Sequence, residues 1–231
     1  MNEVEIVFNK NKIKGIWRDM VDESVWAEIF KWREYRAVES VIKEPGVSIL
    51  DVGAHAGFFA LYCLGLNKKA KLYCVEPESN NLKFLKKNLD LNGLDKSVKI
   101  LPGALMGSTN KYCLKLSPDN HNHRVYLEVG EEIKADVQGY NFIDLIKKLK
   151  IKQADLLKMD IEGEEYELFS IWNEKEFSLI KNIVLEYHES EDNDKEYLVN
   201  ILRENGFGVQ VFPSRFDNTM GIIFANNKRI K

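Results

Sequence analysis

The feature that most limits the folds open to this chain is a serial alternation of two patterns. Short β-rich runs, VSILDV (47–52), KLYCVEP (71–77) and VKIL (98–101), take turns with segments whose apolar residues recur at helical spacing. The first run leads into a helix from about Gly57 to Leu66. The second leads into a helix capped by Ser79, in which Leu82, Leu85 and Leu89 repeat. The alternation resumes with a helical pattern at Phe142, Leu145, Ile146 and Leu149, followed by strands at ADLLKMD (154–160) and NIVLEYH (182–188). A helix around Tyr197 to Leu202 ends at Gly206. VQVF (209–212) and GIIFA (221–225) are joined by a short loop and read as an antiparallel pair. Such a chain predicts an α/β, Rossmann-like architecture: a mostly parallel, doubly wound sheet with helices on both faces.

Two stretches depart from the alternation. KYCLKLS, RVYLEV and EIKADVQ, within residues 111 to 138, predict an inserted β-hairpin region around the polar turn SPDNHNH. Residues 1–46 form a lead-in to the domain at 47–231, a strand pair and then a helix from about Ser24 to Ile42, with no linker dividing them off. In that helix Trp26, Ile29, Phe30 and Arg33 recur at helical spacing and read as packing residues. Tyr35 and Arg36 would reach the cofactor if this helix lids the pocket.

Composition narrows the function classes. The net charge of -3 gives no bulk reason to bind nucleic acid. No run of about 18 apolar residues predicts a membrane span, and MNEVEIVFNK lacks the apolar core of a secretory signal. Cys63, Cys74 and Cys113 are an odd, widely spaced set with no C-x-x-C, so a reducing, cytoplasmic setting is expected.

The chemistry begins at SILDVGAHAGFFAL (48–61), where a buried strand ends in Asp51 and turns through Gly53 and Gly57 into a helix. In open α/β sheets, ligands bind beyond the carboxyl ends of the strands. The dinucleotide pattern G-x-G-x-x-G is absent, because His55 stands where its second glycine would be; the P-loop is absent too. A carboxylate at the strand end repels phosphate but suits an amine or hydroxyls. Glu76, at the end of the next strand, is placed to accept both hydroxyls of a ribose. Together they describe an adenosine ligand carrying an amino acid.

ILDVGAHAGFFAL, VEPESNNLKFLKKNL, LKMDIEGEEYELF and VLEYHE, within residues 47–190, resemble the FkbM-type S-adenosylmethionine-dependent methyltransferases. The resemblance implies a class I methyltransferase fold. It places Asp51, Gly53, Ala54 and Gly57 at the methionine end of the cofactor and Glu76 on the ribose. It sets Pro77 and Glu78 beside the adenine, with Gly103, Ala104 and Leu105 along its edge. Residues 1–46 and 108–140 depart most from the family, and acceptor contacts are expected there.

Asp160, Glu162, Glu186 and His188 follow the fourth and fifth strands of the parallel set, on the same mouth, and are the expected catalytic residues. A hydroxyl acceptor must lose its proton to a base, for which His188 titrates in the useful range. Alternatively the four residues would hold a divalent metal against the acceptor oxygen, although none is predicted. Glu164, Glu165 and Glu167 read as a solvated helix start. His121 and His123 read as a polar hairpin tip, and His55 as a local bond or packing contact. The [DNS]-P-P-[YF] segment of many amino-group methyltransferases is absent, which favours an oxygen acceptor on a small molecule or sugar-like glycoconjugate. RNA methylation and a non-catalytic cofactor-binding protein are the competing readings.

Overall fold

The computed structural model describes residues 2–115, 124–126, 136–161, 163–191 and 193–230. The chain opens with a hairpin of β1 (Asn2–Phe8) and β2 (Asn11–Trp17). Asn9 and Lys10 turn it with φ of 47° and 66°, the left-handed pair that a two-residue hairpin loop requires. Asn88 and Asn92 dock this hairpin, since their side chains accept from the backbone N–H groups of Ile16 and Lys14.

The lead-in departs from the single helix expected over Ser24 to Ile42. Helix α1 (Met20–Trp26), capped by Asp19, passes into a wide π turn (Ala27–Trp32). Arg33 then turns left-handed at φ 55°, and a 3-10 turn (Glu34–Val38) and α2 (Glu39–Ile42) follow. The reason is legible in the spacing. Trp26, Ile29 and Phe30 are buried, and so are Tyr35, Val38 and Ile42, but the step from 30 to 35 is five residues. One α-helical stripe advances by three or four, so the rod must break to bury both sets.

Next come β3 (Ser48–Val52), α3 (Phe58–Leu66), β4 (Lys71–Glu76), α4 (Ser79–Leu91) and β5 (Val98–Pro102). Short strands β6 (Ala104–Leu105), β7 (Asn110–Lys115), β8 (Arg124–Tyr126) and β9 (Asp136–Tyr140) form a separate sheet in the order β6-β9-β7-β8. In it β7 is antiparallel to both neighbours and β6 runs parallel to β9. His121 and His123 lie outside the described residues. The chain closes with α5 (Phe142–Leu149), β10 (Leu156–Met159), α6 (Glu164–Ile171), α7 (Glu174–Ser178), β11 (Asn182–His188), α8 (Lys195–Glu204), β12 (Phe207–Pro213) and β13 (Met220–Asn227).

The main sheet has the order β12-β13-β11-β10-β3-β4-β5. Strands β11, β10, β3, β4 and β5 are parallel, and β13 and β12 add an antiparallel edge. From β3 the chain winds outward through β4 and β5, then returns to β10 on the other side. The crevice between the ends of β3 and β10 is therefore the topological switch point, where open α/β sheets bind ligands.

Strand side chains alternate between two cores. Ile49, Leu72, Leu156 and Val184 face the lead-in, α3 and α4, while Leu50, Val75, Leu157 and Leu185 face α5, α6 and α8. The same alternation sends Asp51 and Lys158, register partners on β3 and β10, toward the first core, where both are buried.

Candidate active site

The loops after β3 and β10 meet at the switch point. Gly53 has φ 75°, and a Cβ there would collide with the backbone oxygen of Asp160. Only glycine takes this conformation freely and leaves that room. The N–H groups of Gly53 and Ala54 both donate to Val75 O, at 3.0 and 3.1 Å, which ties the turn to β4. Gly57, φ 84°, starts α3 against Leu85 and lies outside the cavities described next.

Two chambers open here and share Val25, Gly53, His55 and Asp160. The first, about 150 Å³, lies over β3, β4 and β6, between Val52 and Val75 below and Val21 and Val25 of α1 above. Glu76, Pro77, Gly103, Ala104 and Leu105 line it. The second, about 450 Å³, lies over β10 and β11; Ala54, Tyr35, Glu28 and Lys158 line it with Asp160, Glu186 and His188. Three of the four expected catalytic residues thus share one chamber. Glu162 lies outside the described residues.

Glu76 is 4% exposed and its carboxylate is held from three directions. His55 N–H donates to one oxygen at 2.8 Å; Glu78 N–H and the Asn81 amide donate to the other at 2.9 and 3.1 Å. Burial pushes the Glu76 carboxyl up, and these bonds oppose the rise. A carboxylate offers about four lone-pair sites, so three bonds leave room for one ribose hydroxyl rather than two. The Asn81 oxygen is taken by Arg18 at 2.7 Å. Arg18 also grips buried Asp22 with Nε and an Nη at 2.8 and 2.7 Å, and meets His55 Nε2 at 3.0 Å. This network joins α1 to the strand end that carries Glu76.

Glu78 is a helix cap. Its carboxylate accepts from Asn80 and Asn81 N–H at 2.7 and 2.6 Å, so it, not Ser79, caps α4. Asp51 lies beneath the chambers rather than on their walls. It is fully buried, with Lys158 Nζ 3.4 Å away and Cys74 Sγ at 3.8 Å. The cation it faces is the protein's own. Lys158 Nζ also donates to Gly53 O at 2.8 Å and reaches Asp160 at 3.3 Å. Burial alone would lower its pKa, but the Asp160 and Asp51 carboxylates outweigh that and raise it, so the ammonium stays charged. Lys158 escapes notice in the sequence, as the one charge inside LLKM; only the β3–β10 register puts it between two acids.

His55 bonds locally, as expected, and more. It is left-handed at φ 49°, and burial pushes its imidazole down to about 4. The ring is then neutral near pH 7, with Nε2 accepting from Arg18, which places its proton on Nδ1. Nδ1 is buried and bonded to nothing among the described residues. A buried donor left unsatisfied beside both chambers fits a ligand acceptor.

On the acceptor side, His188 Nε2 lies 3.9 Å from Glu186. Tyr35 is 4% exposed and lines this chamber, whereas Arg36 turns to a separate groove. Among the described residues, no group of three or more His, Cys, Asp or Glu side chains is arranged to hold a metal ion. Glu165 contradicts its expected solvated position. It is fully buried, and its carboxylate accepts from Ile161 and Gly163 N–H at 2.8 and 2.9 Å, while Glu167 is exposed.

Residues 51–209 match the family model described as the methyltransferase FkbM domain. The chain belongs to the FkbM methyltransferase family. Among similar proteins, the methyltransferase sdnD of Sordaria araneosa is 26% identical over 191 residues, 70% of this chain and 73% of that one. A methyltransferase FkbM from Methylobacillus flagellatus KT shares the fold at a TM-score of 0.55 and 15% identity, over 78% of this chain and 43% of that one. So does the N-terminal domain of human METTL16 in complex with SAH, at 0.53 and 16% identity, over 85% of this chain and 69% of that one. This FkbM chain is an S-adenosylmethionine-dependent methyltransferase of class I fold. Its residues fit that cofactor: an apolar chamber edged by a carboxylate with one open acceptor site, and a buried donor at its mouth. No helix among the described residues is long and apolar enough to cross a membrane.

Proposed function

We propose that this FkbM methyltransferase methylates a hydroxyl of a small molecule or sugar-like glycoconjugate. The observation that carries the reading is the second chamber. It meets the cofactor side at Gly53, His55 and Asp160, and it brings Asp160, Glu186 and His188 together at the strand ends. When bound, S-adenosylmethionine supplies a methyl group on a sulfonium, a leaving group that needs no further activation. The protein's contribution is then alignment and proton removal.

Glu76 would hold a ribose hydroxyl, and Val52, Val75 and Gly103 to Leu105 would hold the adenosine. The Gly53–His55 turn takes the methionine end, with His55 Nδ1–H free to donate to its carboxylate. Asp51 acts from below through Lys158. In the second chamber His188 or Asp160 takes the proton of the acceptor hydroxyl. Glu186 stabilises the imidazolium that results on His188.

The test is transfer of labelled methyl from S-adenosylmethionine into a fractionated cell extract, with magnesium and with EDTA. Label in the small-molecule or glycan fraction supports the reading; label in RNA or protein refutes the acceptor class. A fall in transfer with EDTA that magnesium restores would bring a metal into the chamber. Once an acceptor is found, alanine at His188 or Asp160 is expected to cut turnover by about 10²-fold or more with S-adenosylhomocysteine affinity nearly intact. Unchanged turnover removes that residue from the mechanism.

A further inference from the structure

A cavity of about 220 Å³ opens beside the acceptor chamber, between the 3-10 turn and the β12–β13 hairpin. Nothing in the mechanism uses it. Its walls carry three guanidinium groups, on Arg33, Arg36 and Arg215, against one carboxyl, Glu34. Arg33 is held by Glu39. Arg36 and Arg215 are exposed, and neither guanidinium makes a hydrogen bond or an ion pair among the described residues. Guanidinium forks left open in this way match the oxygens of a phosphate or carboxylate.

Trp32 lines the cavity and packs against Phe216 beside it, ring centres 4.5 Å apart at 43°, with Phe216 66% exposed. Exposed aromatic faces beside polar groups are suited to a sugar or aryl ring. The position matters as much as the composition. Tyr35 lines the acceptor chamber while its chain neighbours Glu34 and Arg36 line this groove; likewise Met220 lines the chamber and Gly221 the groove. Neighbouring residues on the same two chain segments thus face the two cavities, which lie side by side.

We propose that this groove binds the anionic group, phosphate or carboxylate, of the same acceptor whose hydroxyl enters the chamber. The substrate is then a small acidic, ring-bearing molecule rather than a neutral one. This rests on the hydroxyl-methylation reading above and narrows it. Two open guanidiniums on a chain of net charge -3 make a site for one anion, not the row of phosphate contacts that a polyanion takes.

Calorimetry on the full chain saturated with S-adenosylhomocysteine tests it, with inorganic phosphate, glucose 1-phosphate, glucuronate and glucose as probes. At least one anionic sugar is expected to bind about tenfold or more tighter than glucose, and its binding to weaken as salt rises. The pair Arg36→Glu and Arg215→Glu is expected to abolish that preference with cofactor affinity unchanged. The milder pair Arg36→Gln and Arg215→Gln weakens it, which separates lost binding from lost folding. Preference for glucose 1-phosphate assigns a phosphate, and preference for glucuronate a carboxylate. Equal binding of glucose, no binding of any anionic probe at millimolar concentration, or unchanged binding by both double variants overturns the proposal. So does a short single-stranded RNA that occupies this face while the small anions are ignored. Loss of S-adenosylhomocysteine binding by the unaltered chain is a separate failure, that of the methyltransferase reading itself.

Discussion

The two chambers share a wall but are built in different ways. The cofactor chamber comes from short contiguous turns at strand ends, Gly53 to His55, Glu76 and Pro77, and Gly103 to Met106. Backbone bonds lock these turns to one another: Gly53 and Ala54 N–H to Val75 O, and Gly103 N–H to Glu76 O. The acceptor chamber shares the Gly53–His55 turn and touches Phe58 and Phe59 of α3, but the rest of its wall gathers scattered side chains from the lead-in and from β10, β11 and β13 or the residues beside them, from Ser24 to Met220. A ligand common to many enzymes can be held by backbone geometry, which short motifs encode. A substrate that differs between enzymes is met by side chains, which can change one at a time.

The largest effect is expected where the chambers join. Gly53→Ala puts a Cβ into the Asp160 carbonyl and forces a side chain into the left-handed region, which costs about 1–2 kcal/mol before the collision is counted. A total of roughly 3 kcal/mol or more, or a fall in Tm of roughly 6–12 °C, is expected, with S-adenosylhomocysteine binding lost in calorimetry. An alanine variant with normal stability and affinity would show that the two loops can separate freely.

Lys158→Met sharpens the comparison, because Lys158 serves both sides. Removing the ammonium leaves Asp51 buried and uncompensated, at a cost of about 3–5 kcal/mol. Adding Asp51→Asn removes that stranded charge, so thermal stability should return. Turnover should stay low, since Asp160 and the Gly53 carbonyl have still lost their donor. Recovery of both would reduce Lys158 to a counter-charge for Asp51.

What the sequence made readable follows the same division. The parallel strands, the antiparallel end and the glycine turn lie in continuous runs whose period or residue type identifies them. Glu76, Asp160, Glu186 and His188 were visible because strand ends on one side of such a sheet share a mouth. Hidden were features that depend on register or on a bond across the fold. Lys158 means little until β10 is laid beside β3. Glu78 takes the cap from Ser79 because its longer carboxylate reaches two N–H groups, and Glu165 is buried with its carboxylate bonded to the Ile161 and Gly163 N–H groups. The broken lead-in helix had a signal, the five-residue step from Phe30 to Tyr35, which helical spacing cannot absorb.

The smallest predicted effect sets two acids of that lead-in against each other. Burial alone would raise Glu39, but the Tyr62 hydroxyl at 2.6 Å, Arg33, and Lys43 at 3.0 Å outweigh it and hold the carboxyl at about 2. Its folded pKa lies below the unfolded value, so its contribution is present above about pH 4.5 and is lost as pH falls toward 2. Glu34 has the opposite sign. Burial first, then Glu28, push it up to about 7 against the pull of Arg215. The folded state keeps that proton longer, so its contribution is present below about pH 4.5 and is lost as pH rises through 7. Thermal melts followed by tryptophan fluorescence, which Trp17, Trp26 and Trp32 place in the lead-in, should show a decline at each end. Glu39→Gln should flatten only the acid side and Glu34→Gln only the other. Glu34 also shares its groove with Arg33, Arg36 and Arg215, so its ionisation sets a negative charge beside the cations that would hold an acceptor's anion. Anion binding should therefore weaken as pH passes 7 in the unaltered chain and hold steady in Glu34→Gln. A pH-independent affinity in the unaltered chain would mean that Glu34 and the bound anion do not sense each other.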